Sequence, residues 1–310
     1  MEPEAKNLII ILGPTGVGKS ATAVQLAQKI GGEIINCDSM QVYQGFDIGT
    51  DKPPLERRGG IPHYLLDIVS PSSQFTAADF VNEALKAIGL ILKKKRIPLI
   101  VGGTGLYLKA LIDGLFPGPG RNPKIRKELE KEAGEKGLES LRKKLGEIDP
   151  LYSQKIGPND KIRIIRALEV FYSTQKPLSE HFSNTRSRLE GFHLIKIGIK
   201  LERNELYQRI EERVDRMFEK GIIQEVEGLL AKGVAEDFPP FRALGYKSVL
   251  KSLKKEITPA EAISLTKKDT RHYAKRQMTW FRKMKDVEWF SPQDLSGILD
   301  YVEKKLASSI

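Results

Sequence analysis

Residues 13–20 constrain the fold of this chain more than any other stretch. They match the phosphate-loop pattern G-x-x-x-x-G-K-[ST] at every position, with an apolar run at 8–12 before them and a helix-favouring segment at 21–30 after them. A strand, this loop and a helix place backbone N–H groups and a helix N-terminus around an oxyanion. We therefore predict that the loop binds a di- or triphosphate. The predicted diphosphate ligands are Gly13, Pro14, Thr15, Gly16, Val17, Gly18, Lys19 and Ser20.

Two side chains of the loop carry specific chemistry. Lys19 can reach the outer phosphate as a point charge, and the hydroxyl of Ser20 can ligate Mg²⁺. We predict Mg²⁺ as the cofactor and Ser20 as its protein ligand.

The order of apolar runs and helical patterns predicts an α/β fold with a parallel sheet. A short strand at 33–37 ends at Asp38 and Ser39, and a second at 97–101 ends in Gly102-Gly103-Thr104-Gly105. Binding groups are expected at this carboxyl edge of an open α/β sheet. Between the two strands the pattern predicts a helix at about 77–95.

Glycine and proline concentrate at 114–123, which marks the best domain boundary in the chain. The charged segment that follows favours helix up to about residue 190, and a strand pattern returns at 194–199. Amphipathic helices are predicted across 206–285. We predict a P-loop NTPase-like core formed by residues 1–119 and 191–310, interrupted by a mainly helical insertion at 120–190.

Composition narrows the class of protein. Apolar residues make up 40% of the chain and charged residues 29%, which is typical of a soluble globular protein. No apolar run approaches the roughly 20 residues of a membrane span. The single cysteine, Cys37, excludes an internal disulfide framework, and the four histidines lack metal-ligand spacing. We expect a cytoplasmic enzyme with no membrane partner.

The net charge of +11 is unevenly distributed. Residues 241–285 hold thirteen Lys or Arg against three acids, and residues 121–190 hold sixteen against eleven. Two basic segments predict a polyanionic partner beyond the small phosphate ligand, and nucleic acid is the leading candidate.

The acid that usually serves Mg²⁺ in P-loop proteins is missing. That acid normally follows an apolar strand, but the strand at 97–101 ends in Gly-Gly-Thr. Asp38 is the only acid at a strand end near the loop. It could serve Mg²⁺ and a nucleotide, as in a small-molecule kinase, or act as a general base beside a loop that holds a leaving group.

The motifs in their order along the chain resemble the tRNA dimethylallyltransferase family. Those that carry the resemblance are the phosphate loop, 38–43, 47–50 with Lys52-Pro53, 102–107, Asn159-Asp160, 166–170, Gly245-Tyr246, 275–277 and 279–282. Nearly the whole chain is covered, in family order. One departure is Ile162, which stands where the family often has Gln.

The resemblance implies an activity and its partners. It implies transfer of a dimethylallyl group from dimethylallyl diphosphate to N6 of the adenosine 3′-adjacent to the anticodon of tRNA, with release of diphosphate. The helical insertion is then expected to contact the anticodon stem-loop, and we expect the enzyme to act as a monomer.

This reaction assigns roles to residues. Asp38 is the candidate base for the N6 proton, since an aromatic amine becomes acidic only as its new bond forms. Thr104 resembles the family's second substrate contact. Arg209 and Arg213 lie four residues apart on a predicted helix and either could approach the diphosphate, with Arg213 the closer match to the family pattern. Ser39, Met40 and Gln41 follow the base and are expected to hold the flipped adenine.

The remaining predicted tRNA contacts lie in the two basic segments. In a helix, Arg271, Lys275 and Arg282 share one face within about 40°, whereas Tyr273, Gln277, Trp280 and Met284 form an opposite face that we predict to be core. The complete predicted tRNA-binding set is Asp38, Ser39, Met40, Gln41, Thr104, Ile162, Arg163, Ile164, Ile165, Arg166, Arg271, Lys275 and Arg282.

Two other functions remain open from the sequence. A P-loop kinase for a small metabolite would share the core, but that function would not explain the basic helical segment. In a non-enzymatic RNA-binding P-loop protein, Asp38 and Thr104 would have no catalytic role. A prenyltransferase of free adenine nucleotides is a variant that the long insertion disfavours.

Overall fold

A parallel sheet forms the centre of the larger part of this chain. The computed structural model describes residues 6–116, 118–183 and 185–308. Within those residues six strands form one sheet in the order β3-β2-β4-β1-β5-β6, and every neighbouring pair is parallel. The strands are β1 (Lys6–Leu12), β2 (Gly32–Cys37), β3 (His63–Tyr64), β4 (Ile97–Gly102), β5 (Phe192–Ile199) and β6 (Val287–Phe290). The predicted α/β fold with a P-loop NTPase-like sheet is confirmed.

Helices connect and cover the strands. Consecutive parallel strands need a crossover connection, and the helix at Lys19–Ile30 provides the one between β1 and β2. Two 3₁₀ turns, Leu55–Arg58 and Pro239–Arg242, lie in loops. The helices are α1 (Lys19–Ile30), α2 (Ala77–Lys93), α3 (Gly105–Ile112), α4 (Pro123–Lys136), α5 (Leu138–Ile148), α6 (Pro150–Ser153), α7 (Lys161–Thr174), α8 (Leu178–Ser183), α9 (Arg203–Glu219), α10 (Ile222–Ala231), α11 (Tyr246–Leu253), α12 (Pro259–Phe281) and α13 (Leu295–Ala307).

The chain divides into two compact units. The first comprises Met1–Ala110 and Glu190–Ile310, and the second comprises Leu111–Leu189. Phe116 packs against the apolar cluster of the second unit, and the carbonyl of Pro119 accepts a hydrogen bond from Arg166 in the same unit. The helical unit therefore begins before residue 120, where we predicted the insertion to start.

Two apolar clusters of the first unit support the site. One packs on the sheet and joins β1 side chains such as Ile9 and Ile11 to Ile197 of β5 and Ile210 of α9. The other packs Phe46 against Phe241 and Tyr246, with ring centroids 5.3 and 5.0 Å away. This second cluster supports the loop that follows β2.

The second unit is helical and has its own core. Leu141, Leu145, Ile164 and Leu168 are fully buried there. Across the chain segments that the structure describes, no helix is both long enough and apolar enough to span a membrane.

Candidate active site

The loop between β1 and α1 has the backbone conformation that its glycines allow. Gly16 and Gly18 adopt φ of 80° and 104°, in the left-handed region where side chains are disfavoured. A Cβ on Gly13 would lie 2.4 Å from the carbonyl oxygen of Ile199. The first-turn N–H groups of α1 have no acceptor within an α-helix, so they are available to an anion at this end.

Lys19 lies inside this loop rather than extending into solvent. Its Nζ donates to the carbonyl oxygen of Pro14 at 2.7 Å. Burial lowers the pKa of Lys19 to about 8; the carboxylate of Asp38 opposes that shift, and Arg213 adds to it. An anion bound in the loop would stabilise the charged ammonium, so the site favours a ligand that carries negative charge.

Arg213 of α9 reaches the same loop from a distant part of the chain. Its Nη1 donates to the hydroxyl of Thr15 at 2.7 Å, and its Nη2 donates to the carbonyl oxygen of Thr50 at 3.3 Å. Its Nε lies 3.4 Å from Oδ2 of Asp51 but is buried without a hydrogen-bond acceptor within the described residues. A guanidinium with unused donor capacity beside a phosphate loop fits a diphosphate ligand.

The ends of β2 and β4 bring Asp38 and Thr104 together. Cys37 and Gly102, the last residues of these strands, are paired in register. The backbone N–H of Ser39 donates to the hydroxyl of Thr104 at 3.1 Å. The two predicted catalytic residues therefore lie at one edge of the sheet, as the strand pattern predicted.

The carboxylate of Asp38 is oriented by the turn that follows it. Oδ1 accepts from the N–H of Met40 at 2.8 Å and from the N–H of Gln41 at 3.4 Å. Among the described residues Oδ2 accepts no hydrogen bond, so one carboxylate oxygen is held and the other is available. This arrangement suits a group that accepts a proton from a ligand.

A cavity of about 320 Å³ opens over these residues within the first unit. Its lining includes Thr15, Asp38, Ser39, Met40 and Arg213. The sequence patterns predicted all five as ligand contacts, from three separate segments. The other lining residues include Val214 and Met217 of α9 and four polar or aromatic residues from segments further along the chain: Arg242, Thr270, Tyr273 and Arg276.

Gln41 has a different environment from its predicted partners. Its Nε2 donates to the carbonyl oxygens of Thr50 at 3.0 Å and Asp51 at 3.4 Å, and it is not among the residues that line the cavity. Its side chain fixes the turn whose Thr50 carbonyl also binds Arg213. The structure gives it a supporting position, and its predicted contact with the adenine stays a prediction.

The predicted tRNA contacts on α7 separate into exposed and buried residues. Ile162, with 74% of its surface exposed, and Arg163 point to solvent. Ile164 and Ile165 are 0% and 2% exposed and form part of the core of the helical unit. Because a helix buries one face, neighbouring residues cannot all meet a ligand. The predicted side-chain contacts of Ile164 and Ile165 with tRNA are therefore corrected to core positions.

Arg166 is held by partners within its own unit. It donates to Oε2 of Glu169 at 3.0 Å and to the carbonyl oxygens of Pro119 at 2.8 Å and Gly120 at 3.4 Å. Glu169 is fully buried; burial raises its pKa, but hydrogen bonds from Arg126, the N–H of Asn122 and Arg166 outweigh this and lower it. Arg166 thus completes an ionic cluster around buried Glu169 that joins the start of the unit to α7.

The three basic residues predicted on one face of α12 also differ. Arg271 lies against Glu211 of α9, with Nη1 2.5 Å from Oε1, whereas Lys275 and Arg282 are exposed. Gln277 and Trp280, predicted on the opposite face, do face the interior. A Cβ on Gly105 would lie 2.6 Å from the indole of Trp280. Tyr273, which we also predicted to be core, lines the cavity instead.

The sequence analysis did not identify two of the residues that hold the site together. Glu225 of α10 accepts from the N–H groups of Asp47, Ile48 and Gly49 at 3.0, 2.7 and 3.3 Å, and from the hydroxyl of Tyr246 at 2.6 Å. It thereby fixes the loop that leads to Thr50. Gln277 was assigned to the core with no role, although it binds both the phosphate loop and the loop after β4.

The residues at the loop fit Mg²⁺ bound together with a diphosphate. Ser20 lies exposed in the first turn of α1, beside the glycine cradle, and the carboxylate of Asp38 is near enough to the adjacent Lys19 to raise the pKa of that ammonium. In the part of the chain that the structure describes, no group of three or more His, Cys, Asp or Glu could hold a metal by itself. Phosphate oxygens and water would complete the coordination, as Mg²⁺ usually requires.

Comparison with known proteins gives the family. The sequence profile of the family described as IPP transferase matches residues 41–284. The tRNA dimethylallyltransferase of Geobacter metallireducens is 47% identical over 302 residues, which cover 97% of this chain and 98% of that protein.

Solved structures agree with this assignment. The full-length tRNA isopentenylpyrophosphate transferase of Bacillus halodurans is 40% identical with a TM-score of 0.73, and the match covers 98% of each chain. A eukaryotic dimethylallyltransferase, whose crystal structures capture it acting on tRNA, is 33% identical with a TM-score of 0.80. That match covers 97% of this chain and 77% of the eukaryotic chain. These matches confirm the resemblance drawn from the motifs: the chain belongs to the IPP transferase family.

Proposed function

We propose that this chain transfers a dimethylallyl group from dimethylallyl diphosphate to N6 of the adenosine 3′-adjacent to the anticodon in tRNA, releasing diphosphate. The observation that carries the proposal is the lining of one cavity by Asp38 together with Thr15 and Arg213. A base and a diphosphate site therefore face the same space. Relatives that match almost the whole chain are named tRNA dimethylallyltransferase.

The phosphate loop stabilises the leaving group. An allylic diphosphate ionises readily because the departing carbon becomes a stabilised cation, so the main demand is to stabilise the charge that builds on diphosphate. Lys19, Arg213 and the first-turn N–H groups of α1 are fixed donors that need little rearrangement. Residues 13–20 hold the diphosphate in this scheme.

Asp38 takes the proton from the incoming amine. The held oxygen Oδ1 fixes the carboxylate, and Oδ2 is available to N6 of the adenine. As the N6–C1 bond forms and the C1–O bond breaks, the electron pair leaves with diphosphate and the N6 proton passes to Asp38. The hydroxyl of Thr104 accepts from the N–H of Ser39, the residue after the base, and we assign it a contact with one of the two substrates.

Ser20 is the residue that would hold Mg²⁺, with the carboxylate of Asp38 nearby. The ion supplies charge neutralisation for the departing diphosphate. The protein's own contribution to the same charge is the ammonium of Lys19 and the guanidinium of Arg213.

Exposed basic residues would hold the tRNA. The exposed side chains that can meet backbone phosphates are Arg163 on α7, Lys275 on α12 and Arg282, which directly follows α12. Contact of the helical unit with the anticodon stem-loop, a monomeric state and a cytoplasmic location stay predictions.

A transfer assay separates this function from its alternatives. Dimethylallyl diphosphate labelled in its prenyl group is incubated with the enzyme, Mg²⁺ and unmodified tRNA, and label is followed into the nucleic acid. We expect label in tRNA at the adenosine next to the anticodon and none in free AMP. ATP-dependent phosphorylation of a small molecule, with no label in tRNA, would contradict the proposal and favour a P-loop kinase.

A further inference from the structure

The active-site cavity ends against a second cavity of about 260 Å³ in the same unit. Within the described residues only two side chains line both spaces, Arg213 and Met217 of α9. Arg213 is fixed by hydrogen bonds to Thr15 and Thr50. Met217 is therefore the one apolar side chain that lines both cavities within the described residues.

Met217 is a buried core side chain that also lines the cavity, with 7% of its surface exposed. The same holds for Val214, which is 1% exposed and lines the active-site cavity three residues earlier. Both side chains pack around the cavity, so their sizes set its extent on this side.

The position of Met217 along α9 relates it to the substrate. Arg213 marks the diphosphate end, and Met217 lies four residues on, on the same helix face and about 6 Å along the axis. Displacement at C1 places the amine and the diphosphate on opposite sides of that carbon. The rest of the allylic chain must then leave on a third side, and Val214 and Met217 are apolar side chains that line the cavity beside Arg213.

We propose that Met217 limits the length of the allylic chain that this enzyme accepts. This inference rests on the proposed function. With Met217 in place the chain ends against its thioether, which fits a five-carbon group. Without that side chain the cavity would join the second one, which offers room for a longer chain beside Ile48 and Pro54, although most of its other lining residues are charged.

The chemistry of the longer substrate would be unchanged. Geranyl diphosphate has the same allylic C1–O bond with one more isoprene unit at the far end. The C1–O electron pair again leaves on diphosphate, N6 forms the new bond to C1, and its proton passes to Asp38. Only the fit of the tail differs between the two donors.

The test compares kcat/KM for geranyl and dimethylallyl diphosphate with the same tRNA. For Met217→Ala we expect the geranyl-to-dimethylallyl ratio to rise by at least about tenfold, in the range that apolar pocket contacts discriminate. Met217→Leu, which conserves volume, should keep the wild-type ratio. Met278→Ala, the same change on α12 at a residue lining neither cavity, should also keep it.

Wild-type activity separates the inference from the function on which it rests. If the wild-type enzyme fails to transfer the dimethylallyl group to tRNA, the proposed function is wrong. If wild type is active and Met217→Ala keeps the wild-type ratio, the role of Met217 is wrong. Should Met217→Ala fail to fold by its melting curve, Met217→Val decides in its place: a rise in the ratio supports the inference and an unchanged ratio overturns it.

Discussion

The side-chain amide of Gln277 accepts a hydrogen bond from the backbone N–H of Thr15 at 2.9 Å, 262 positions away in the sequence. Its nitrogen also donates to the carbonyl oxygen of Gly103 at 2.8 Å. One residue of α12 thus joins the phosphate loop to the loop that carries Thr104. This connection holds the leaving-group site against the loop of Thr104.

Breaking this connection should lower both stability and the rate of transfer. Gln277→Met removes both hydrogen bonds, and we expect a loss of about 1–3 kcal/mol in the free energy of unfolding from the buried groups left unpaired. Gln277→Glu keeps the acceptor for Thr15 but turns an oxygen toward the carbonyl of Gly103. Single-turnover rates should fall for both variants, and the exposed Thr279→Ala on the same helix is the control. Wild-type rates in both Gln277 variants would refute the connecting role.

Two arginines that both belong to the predicted tRNA-binding set should behave differently. Arg166 forms an ion pair with buried Glu169. Because Arg166→Ala would leave that carboxylate with one hydrogen bond fewer, we expect the free energy of unfolding to fall by about 1–3 kcal/mol. Arg282 is exposed, so Arg282→Ala should leave unfolding unchanged and reduce the slope of log K for tRNA against log salt by about 1. Denaturant titration and tRNA binding at several salt concentrations check both effects. Equal salt slopes for wild type and Arg282→Ala would show that Arg282 does not contact phosphate.

Local pattern was enough to predict the centre of the sheet. Four strands, β1, β2, β4 and β5, contain apolar runs, and each was predicted to within two residues at either end. The two edge strands were missed because β3 has only two residues and neither β3 nor β6 is fully buried. A short strand on the edge of a sheet has little apolar pattern to detect.

The site residues also divide into those that a local sequence pattern predicts and those that it does not. The phosphate loop and Asp38 are local signals, so the sequence indicates them directly. Glu225 contacts a loop 178 positions away, and nothing on α10 distinguishes its carboxylate from that of exposed Glu227. The burial of Ile164 and Ile165 depends on which face of α7 packs, and the helices of the second unit decide that.

The depressed pKa of Lys19 predicts a pH limit on substrate binding. The charged ammonium is the form that binds diphosphate, and it is lost as pH rises through about 8, where burial places this pKa. We expect kcat/KM for dimethylallyl diphosphate to fall above that pH, since this parameter reports groups of the free enzyme. In Lys19→Arg the guanidinium stays charged, so any activity that remains should not show this fall in kcat/KM at high pH.

The neighbour of Lys19 gives a second check on the same assignment. The carboxylate of Asp38 raises the pKa of Lys19 against the effect of burial. In Asp38→Asn that support is absent, so the loss of affinity for inorganic diphosphate should begin at lower pH than in wild type. Calorimetric binding of diphosphate across pH 6–9.5 measures this without turnover. An identical pH profile in the two proteins would argue against Lys19 as the titrating group.

The decisive change for the mechanism is Asp38→Asn. The amide keeps the shape of the side chain, and its oxygen can still accept from the N–H of Met40, but it cannot take a proton from N6. We expect the single-turnover rate to fall by about 10²–10⁴-fold, as for loss of a positioned base, with tRNA affinity largely retained. Asp300→Asn, an exposed change on α13, is the control.

Magnesium concentration separates the two roles that Asp38 could have. A carboxylate whose main duty is to hold Mg²⁺ can be replaced in part by mass action, because a higher metal concentration refills a weakened site. A missing proton acceptor cannot be restored in this way. We therefore expect the Asp38→Asn rate to stay low from 1 to about 50 times the Mg²⁺ concentration that saturates wild type. Recovery of most of the wild-type rate would assign Asp38 to the metal and leave the N6 proton to solvent or to Thr104.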